Sequence, residues 1–147
     1  MPDREVRISH VFDAPREAVF EAWTDPDQVA LWWAPAELRI PRESIVVEPR
    51  VGGRFHLVMV ESSGTEWPMR AEILQISPPE LIVMRSEPIP EAGIAETVTR
   101  VVLELEGSRT RMTITQGPYS DEVYENASAG WQSVLVKLAA LLKERSA

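Results

Sequence analysis

Apolar side chains recur along this chain with two periods, and each change of period marks an element. From Ser120 to about Arg145, Tyr124, Ala127, Trp131, Val134, Leu138 and Leu141 follow one another at three- and four-residue steps. That spacing predicts one long amphipathic helix, its buried stripe widened by Leu135 and Leu142. Ser120 is the expected N-cap after the Gly117-Pro118 break. Asp121, Glu122 and Glu125 sit near the positive end of its dipole, and Lys143 and Arg145 near the negative end. Such a helix needs a broad apolar surface to lie against.

The rest of the chain supplies strands. Glu5 to Phe12 alternates, with Val6, Ile8, His10 and Phe12 on one face. Pro15 then opens a helix through Val19, Phe20 and Trp23. Thr24-Asp25-Pro26 ends it and caps a second short helix, Asp27 to about Trp33, closed by Ala34-Pro35. Strands are expected at Ser44–Glu48, Arg54–Val60, Glu66–Ile76, Leu81–Arg85, Ala95–Glu106 and Thr110–Gln116, separated by Gly- and Pro-bearing turns. Phe55, Leu57 and Met59 share a face, as do Trp67, Met69, Ala71 and Ile73; Leu74 and Ile76 then point to a bulge or face switch. Val101, Leu103 and Leu105 are expected inward, as are Met112 and Ile114. Pro88 to Gly93 reads as a mobile loop.

Hairpin spacing makes the sheet antiparallel, and a sheet this long must twist and curl. The predicted class is α+β: a curved antiparallel sheet of about six to seven strands around a long C-terminal helix, with two short helices after strand 1. No internal repeat or linker interrupts the order, so residues 1–147 are expected to form a single domain.

Composition narrows the function classes. A net charge of -8 gives a field that repels phosphate backbones and anionic lipid, so neither nucleic acid nor membrane insertion is expected. There are no cysteines, which removes disulfides, thiol chemistry and cysteine-ligated metals. The N-terminus does not read as a signal peptide, and every apolar run is too short to span a bilayer. A cytoplasmic protein, monomer or homodimer, is the expectation. His10 and His56 are the two histidines, without metal-ligand spacing, and neither a nucleophile elbow nor a phosphate-binding glycine loop is present. No cofactor is expected.

Six ordered motifs carry a family resemblance. They are Val11-Phe12-Asp13-Ala14-Pro15, Ala22-Trp23-Thr24-Asp25-Pro26, Leu31-Trp32-Trp33-Ala34-Pro35, Val51-Gly52-Gly53-Arg54-Phe55, Pro78-Pro79-Glu80-Leu81 and Gly130-Trp131. The chain resembles the bacterial branch of the heat-shock-protein-90 ATPase-activator-like family, within the START/SRPBCC, pollen-allergen-like helix-grip superfamily. That resemblance implies the helix-grip fold over nearly the whole chain. Its functional range is wide, from lipid carriers and hormone receptors to aromatase/cyclases. Family members often carry a histidine shortly before the Gly-Trp pair, where this chain has Ala127, so a function tied to that side chain does not transfer. The co-chaperone activity of the eukaryotic relatives depends on a separate N-terminal domain and is not expected either.

A helix-grip fold implies a cavity between helix and sheet, and the large apolar residues fall on the elements around it. The expected lining is Trp23, Leu31, Trp32, Phe55, Leu57, Met59, Trp67, Met69, Met84, Met112, Tyr124, Ala127, Trp131 and Leu135, with methionine giving an adaptable wall. Gly130, costly within a helix by about 1 kcal/mol, reads either as space for a ligand or as close packing on a strand. Trp32 is expected to face the cavity and Trp33 its rim, beside a gating loop at 87–94. The expected function is binding of a small hydrophobic or amphipathic molecule. The alternatives are an enzyme using the same cavity (a cyclase, dehydratase or hydrolase on a polyketide-like or aromatic substrate) or a protein-interaction module with a closed core. The enzyme reading needs Glu66, Glu72, Glu96, Arg70, Arg85 or Arg100 turned inward as an acid/base pair. The competing reading of those six residues is a solvated outer face.

Overall fold

The computed structural model describes residues 4–34 and 37–145. The first strand, β1 (Arg4–Phe12), is followed by α1 (Arg16–Thr24) and α2 (Pro26–Trp32). Asp25 ends one helix and begins the next: its backbone N–H donates to Glu21 O at 2.8 Å, and its carboxylate accepts from Asp27 N at 3.0 Å. Pro35, expected to close this pair, lies outside the described residues.

Two short strands follow, β2 (Leu38–Arg39) and β3 (Val46–Val47), then five long ones: β4 (Arg54–Glu61), β5 (Glu66–Ser77), β6 (Leu81–Ser86), β7 (Thr97–Glu106) and β8 (Arg109–Tyr119). They form one antiparallel sheet in the order β1-β8-β7-β6-β5-β4-β2, with β3 also paired to β4. The six long strands are those the alternation predicts. Of the Ser44–Glu48 stretch, only Val46–Val47 is strand, because a turn of 3-10 helix occupies Arg42–Ser44. The expected bulge in β5 is present as a register shift between Ile73 and Gln75.

The chain ends in α3 (Asp121–Arg145), which packs chiefly against β1 and α2. Ser120 begins it through its carbonyl, which accepts from the backbone N–H groups of Val123 and Tyr124. Trp131, Val134, Leu135, Leu138, Leu141 and Leu142 are buried, as the stripe predicts. The sheet curves around this helix. Against expectation, Leu105 is 63% exposed, because it stands at the β7–β8 hairpin, beyond the reach of α3. His10 is exposed as well, its ring 4.6 Å from that of Phe12.

Gln116 begins an irregularity that shapes the interior. Arg4 pairs with Tyr119 and Val6 with Gln116, so β8 holds one residue more than β1 over this stretch. Side chains alternate with period two, and the extra residue returns Tyr119 to the face that Gln116 already occupies. Gly117 permits the close approach: a Cβ there would lie 3.0 Å from Arg4 O and 3.2 Å from Glu5 Cα.

Candidate functional site

The two halves of α3 meet the sheet differently. The C-terminal half is close-packed, with Leu138 fully buried. Under the N-terminal half lies a half-open cavity of about 360 Å³, within the roughly 300–1,000 Å³ of small-molecule sites. Val123, Ala127, Gly130, Trp131 and Val134 form its roof, at spacings that keep them on one helical stripe. Met59 and Met69 rise from β4 and β5, Trp33 from the end of α2, and Ile89 and Ile94 from the β6–β7 loop. Gly130 leaves the roof without a side chain beside Trp131.

Four of the fourteen residues expected in the lining do line this cavity: Met59, Met69, Ala127 and Trp131. The other ten are placed elsewhere, each for a local reason. Trp23, Phe55, Leu57, Met84, Met112 and Leu135 are buried in the close-packed core. Trp32 is also fully buried, its Nε1–H donating to Ala22 O at 2.9 Å and pinning α2 to α1. Trp33 takes the cavity position instead, its ring 5.6 Å from Trp131 and 5.2 Å from Phe55. Trp33, and not Trp32, therefore meets the cavity, and neither stands exposed at a rim, because Trp33 continues the helical turn at the C-cap and swings about 100° round from Trp32. Leu31 is 64% exposed, on the side of α2 away from Val29 and Trp32. Tyr124 lies beneath the Arg4 guanidinium, 3.7 Å from its ring centre. Trp67 shares the face of Met69 but sits further out, where its indole N–H donates to Glu61. It lines an adjoining groove that shares Glu87 and Ile89 with the cavity.

The polar end of the cavity was not anticipated. Gln116 is its hub: Oε1 accepts from Trp131 Nε1 at 2.7 Å and from Tyr119 Oη at 2.6 Å, while Nε2 donates to Thr99 Oγ1 at 2.7 Å. An indole N–H only donates, so the atom facing Trp131 is the amide oxygen and the orientation of Gln116 is determined. Burial pushes the Tyr119 hydroxyl up to about 12, so it stays protonated at neutral pH. Alternation carried a signal for Gln116, two residues beyond the inward Ile114. None existed for Tyr119, whose face is set by the bulge.

The six charged strand residues weighed as inward acid/base groups are all exposed. Arg85 and Glu72 pair across the outer face at 2.8 Å. His56 also faces outward, and partial burial, Arg54 and Arg70 lower its pKa. Among the described residues no group of three His, Cys, Asp or Glu is placed to hold a metal, and no helix is long and apolar enough to cross a membrane.

A curved antiparallel sheet around a C-terminal helix, with two short helices after the first strand, defines a helix-grip protein. The chain belongs to the family described as activator of Hsp90 ATPase homolog 1-like protein, whose model matches residues 13–143. It is similar to a crystal structure of a Chromobacterium violaceum protein, with 28% identity and a TM-score of 0.86 over 97% of this chain and 98% of that one. A solution structure of an Arthrobacter aurescens protein is 27% identical, with a TM-score of 0.83 over 95% of this chain and 86% of that one. The crystal structure of an AHSA1 protein from Silicibacter pomeroyi shares the fold at 23% identity, with a TM-score of 0.83 over 97% of this chain and 99% of that one. No protein of curated function matches the chain.

Proposed function

We propose that this protein binds one small, mainly apolar molecule in the cavity beneath α3, acting as a single domain in the cytoplasm without a cofactor, as monomer or homodimer. The observation that carries the reading is the lining itself. Methionine, isoleucine, valine and tryptophan form the walls, and one internally bonded polar cluster closes one end. Apolar walls supply affinity, and a few placed polar groups supply orientation. The enzyme alternative finds less support: the polar end is an amide, a protonated phenol and threonine hydroxyls, and the carboxylate in the lining, Glu87, is exposed to solvent. The interaction-module alternative needs a contiguous apolar patch. The exposed large hydrophobic residues are instead spread over α2, the β3–β4 turn, β7 and α3.

The test uses an environment-sensitive apolar fluorophore and native mass spectrometry of the purified protein. The dye should bind with micromolar Kd, about −8 kcal/mol, and alter tryptophan emission, because Trp33 and Trp131 stand in the wall. Gly130→Leu should fill the cavity and abolish binding while the protein stays folded. Equal binding to that variant would place the site elsewhere.

A further inference from the structure

The hydrogen bonds around Gln116 fix which kind of polar group the cavity can receive. Trp131 can only donate, so Gln116 Oε1 must face it. Tyr119 Oη lies 2.6 Å from the same oxygen, and two hydroxyl or amide acceptors cannot share that contact without a proton between them. The Tyr119 proton is therefore committed to Gln116. Its hydroxyl retains lone pairs but no proton to offer, and Tyr119 lines the cavity. Thr97, Ser86 and Asn126, also in the lining, each carry a group that can donate or accept, so they do not discriminate. Tyr119 does.

Charge adds a second, independent constraint. No lysine or arginine is among the lining residues, and the charged one is Glu87, a carboxylate. Lys137, the nearest lysine along α3, is held by Ala34 O at 2.6 Å. An anionic head group at the polar end would be buried without a counter-charge, which is strongly unfavourable.

Resting on the binding function proposed above, we infer that the ligand is a neutral hydrophobic alcohol or phenol whose hydroxyl donates to Tyr119 Oη. Gln116 acts as the positioning residue: by accepting the Tyr119 proton it turns the phenol into an acceptor toward the cavity. Fatty acids and other apolar carboxylates, although similar in shape, are rejected. A molecule whose only polar atom is an ether or carbonyl oxygen sets lone pair against lone pair at Tyr119 Oη, forgoes that bond and binds more weakly.

Calorimetric titration at neutral pH with three probes of one ring system tests this: naphthol, its methyl ether, and naphthoate. Naphthol should bind roughly tenfold tighter than the ether, the scale of one net hydrogen bond, and roughly a hundredfold or more tighter than naphthoate. Tyr119→Phe should collapse the gap between naphthol and the ether to within about twofold. If that variant does not fold, the wild-type series decides alone. Ether or naphthoate binding as tightly as naphthol would overturn the assignment of the ligand class and leave the cavity reading standing. A gap that survives in Tyr119→Phe would overturn the role of Tyr119. If none of the three binds, the cavity reading fails and this inference falls with it.

Discussion

The indole N–H of Trp131 donates to Gln116 Oε1 at 2.7 Å, tying the middle of α3 to the last strand of the sheet. Tyr119 donates to the same oxygen, so one amide satisfies two buried donors. Gln116→Leu keeps the volume and removes the acceptor from both. Each stranded donor costs about 1–3 kcal/mol when dry, and less where cavity water replaces the amide. The expected loss is about 1–3 kcal/mol in total, read by urea denaturation. A loss within about 0.5 kcal/mol would show that water serves both donors as well as Gln116 does.

The fold was largely legible because its two periods are clean. Helical spacing set out α3 and strand alternation set out the six long strands, and both are properties of many residues at once. Features resting on one or two residues were not legible. Leu38–Arg39 is too short to alternate. Which of Trp32 and Trp33 meets the cavity depends on where α2 stops, and a helix end is decided by a single turn. Met84 and Met112 show a different limit. Alternation sends them inward, as observed, but it cannot distinguish a packed interior from a cavity wall. That distinction depends on how far down α3 the sheet closes. Tyr119 is the extreme case, since simple alternation from Gln116 places it on the opposite face until the bulge is counted.

The close-packed half of the helix gives the clearest stability contrast. Leu138 is fully buried, and Val136, two residues earlier on the same helix, is 71% exposed. Leu138→Ala should cost about 2–5 kcal/mol, the lost transfer energy plus the cavity left behind. Val136→Ala should stay within about 0.5 kcal/mol. Chemical denaturation of both variants checks the premise that the sheet grips α3 through this half. Similar losses for the two would refute it.

Acid should expose a different contact. Glu48 accepts from Arg54 through backbone N (2.9 Å), Nε (3.1 Å) and Nη2 (2.9 Å). The side-chain bond is the largest cause and the backbone bond the next, and together they hold the carboxyl at about 2 against an ordinary 4.5. The folded value lies below the unfolded one. The contribution is therefore complete above about pH 4.5 and disappears as pH falls towards 2. Glu48→Gln should lower the thermal midpoint at neutral pH and flatten its decline across that window. The two proteins should converge below it. The pair is open to solvent, so added salt should narrow the difference. An unchanged slope in the variant would mean that the contact adds nothing to folding.

Access to the cavity should run past the loop between β6 and β7. Ile89 and Ile94 both line the cavity, and they form an isolated two-residue bridge with each other, N–H to O at 2.8 and 3.1 Å. Gly93, at φ 70°, accepts the left-handed turn that folds the loop back toward Val123 of α3. Residues 98–105 are instead held within β7, between β6 and β8. A two-residue bridge over a cavity buries little and has no neighbouring strand beyond it, so its opening should cost far less than opening the sheet. Hydrogen exchange should therefore find the Ile89 and Ile94 amides exchanging faster than those of 98–105. Saturating the cavity with the apolar fluorophore should slow them, because a ligand against both isoleucine side chains stabilises the closed bridge. Equal protection of the two segments, with and without the dye, would remove this loop as the gate. The way in would then lie on the opposite side, along the groove where Leu38 faces Asn126 and Gly130.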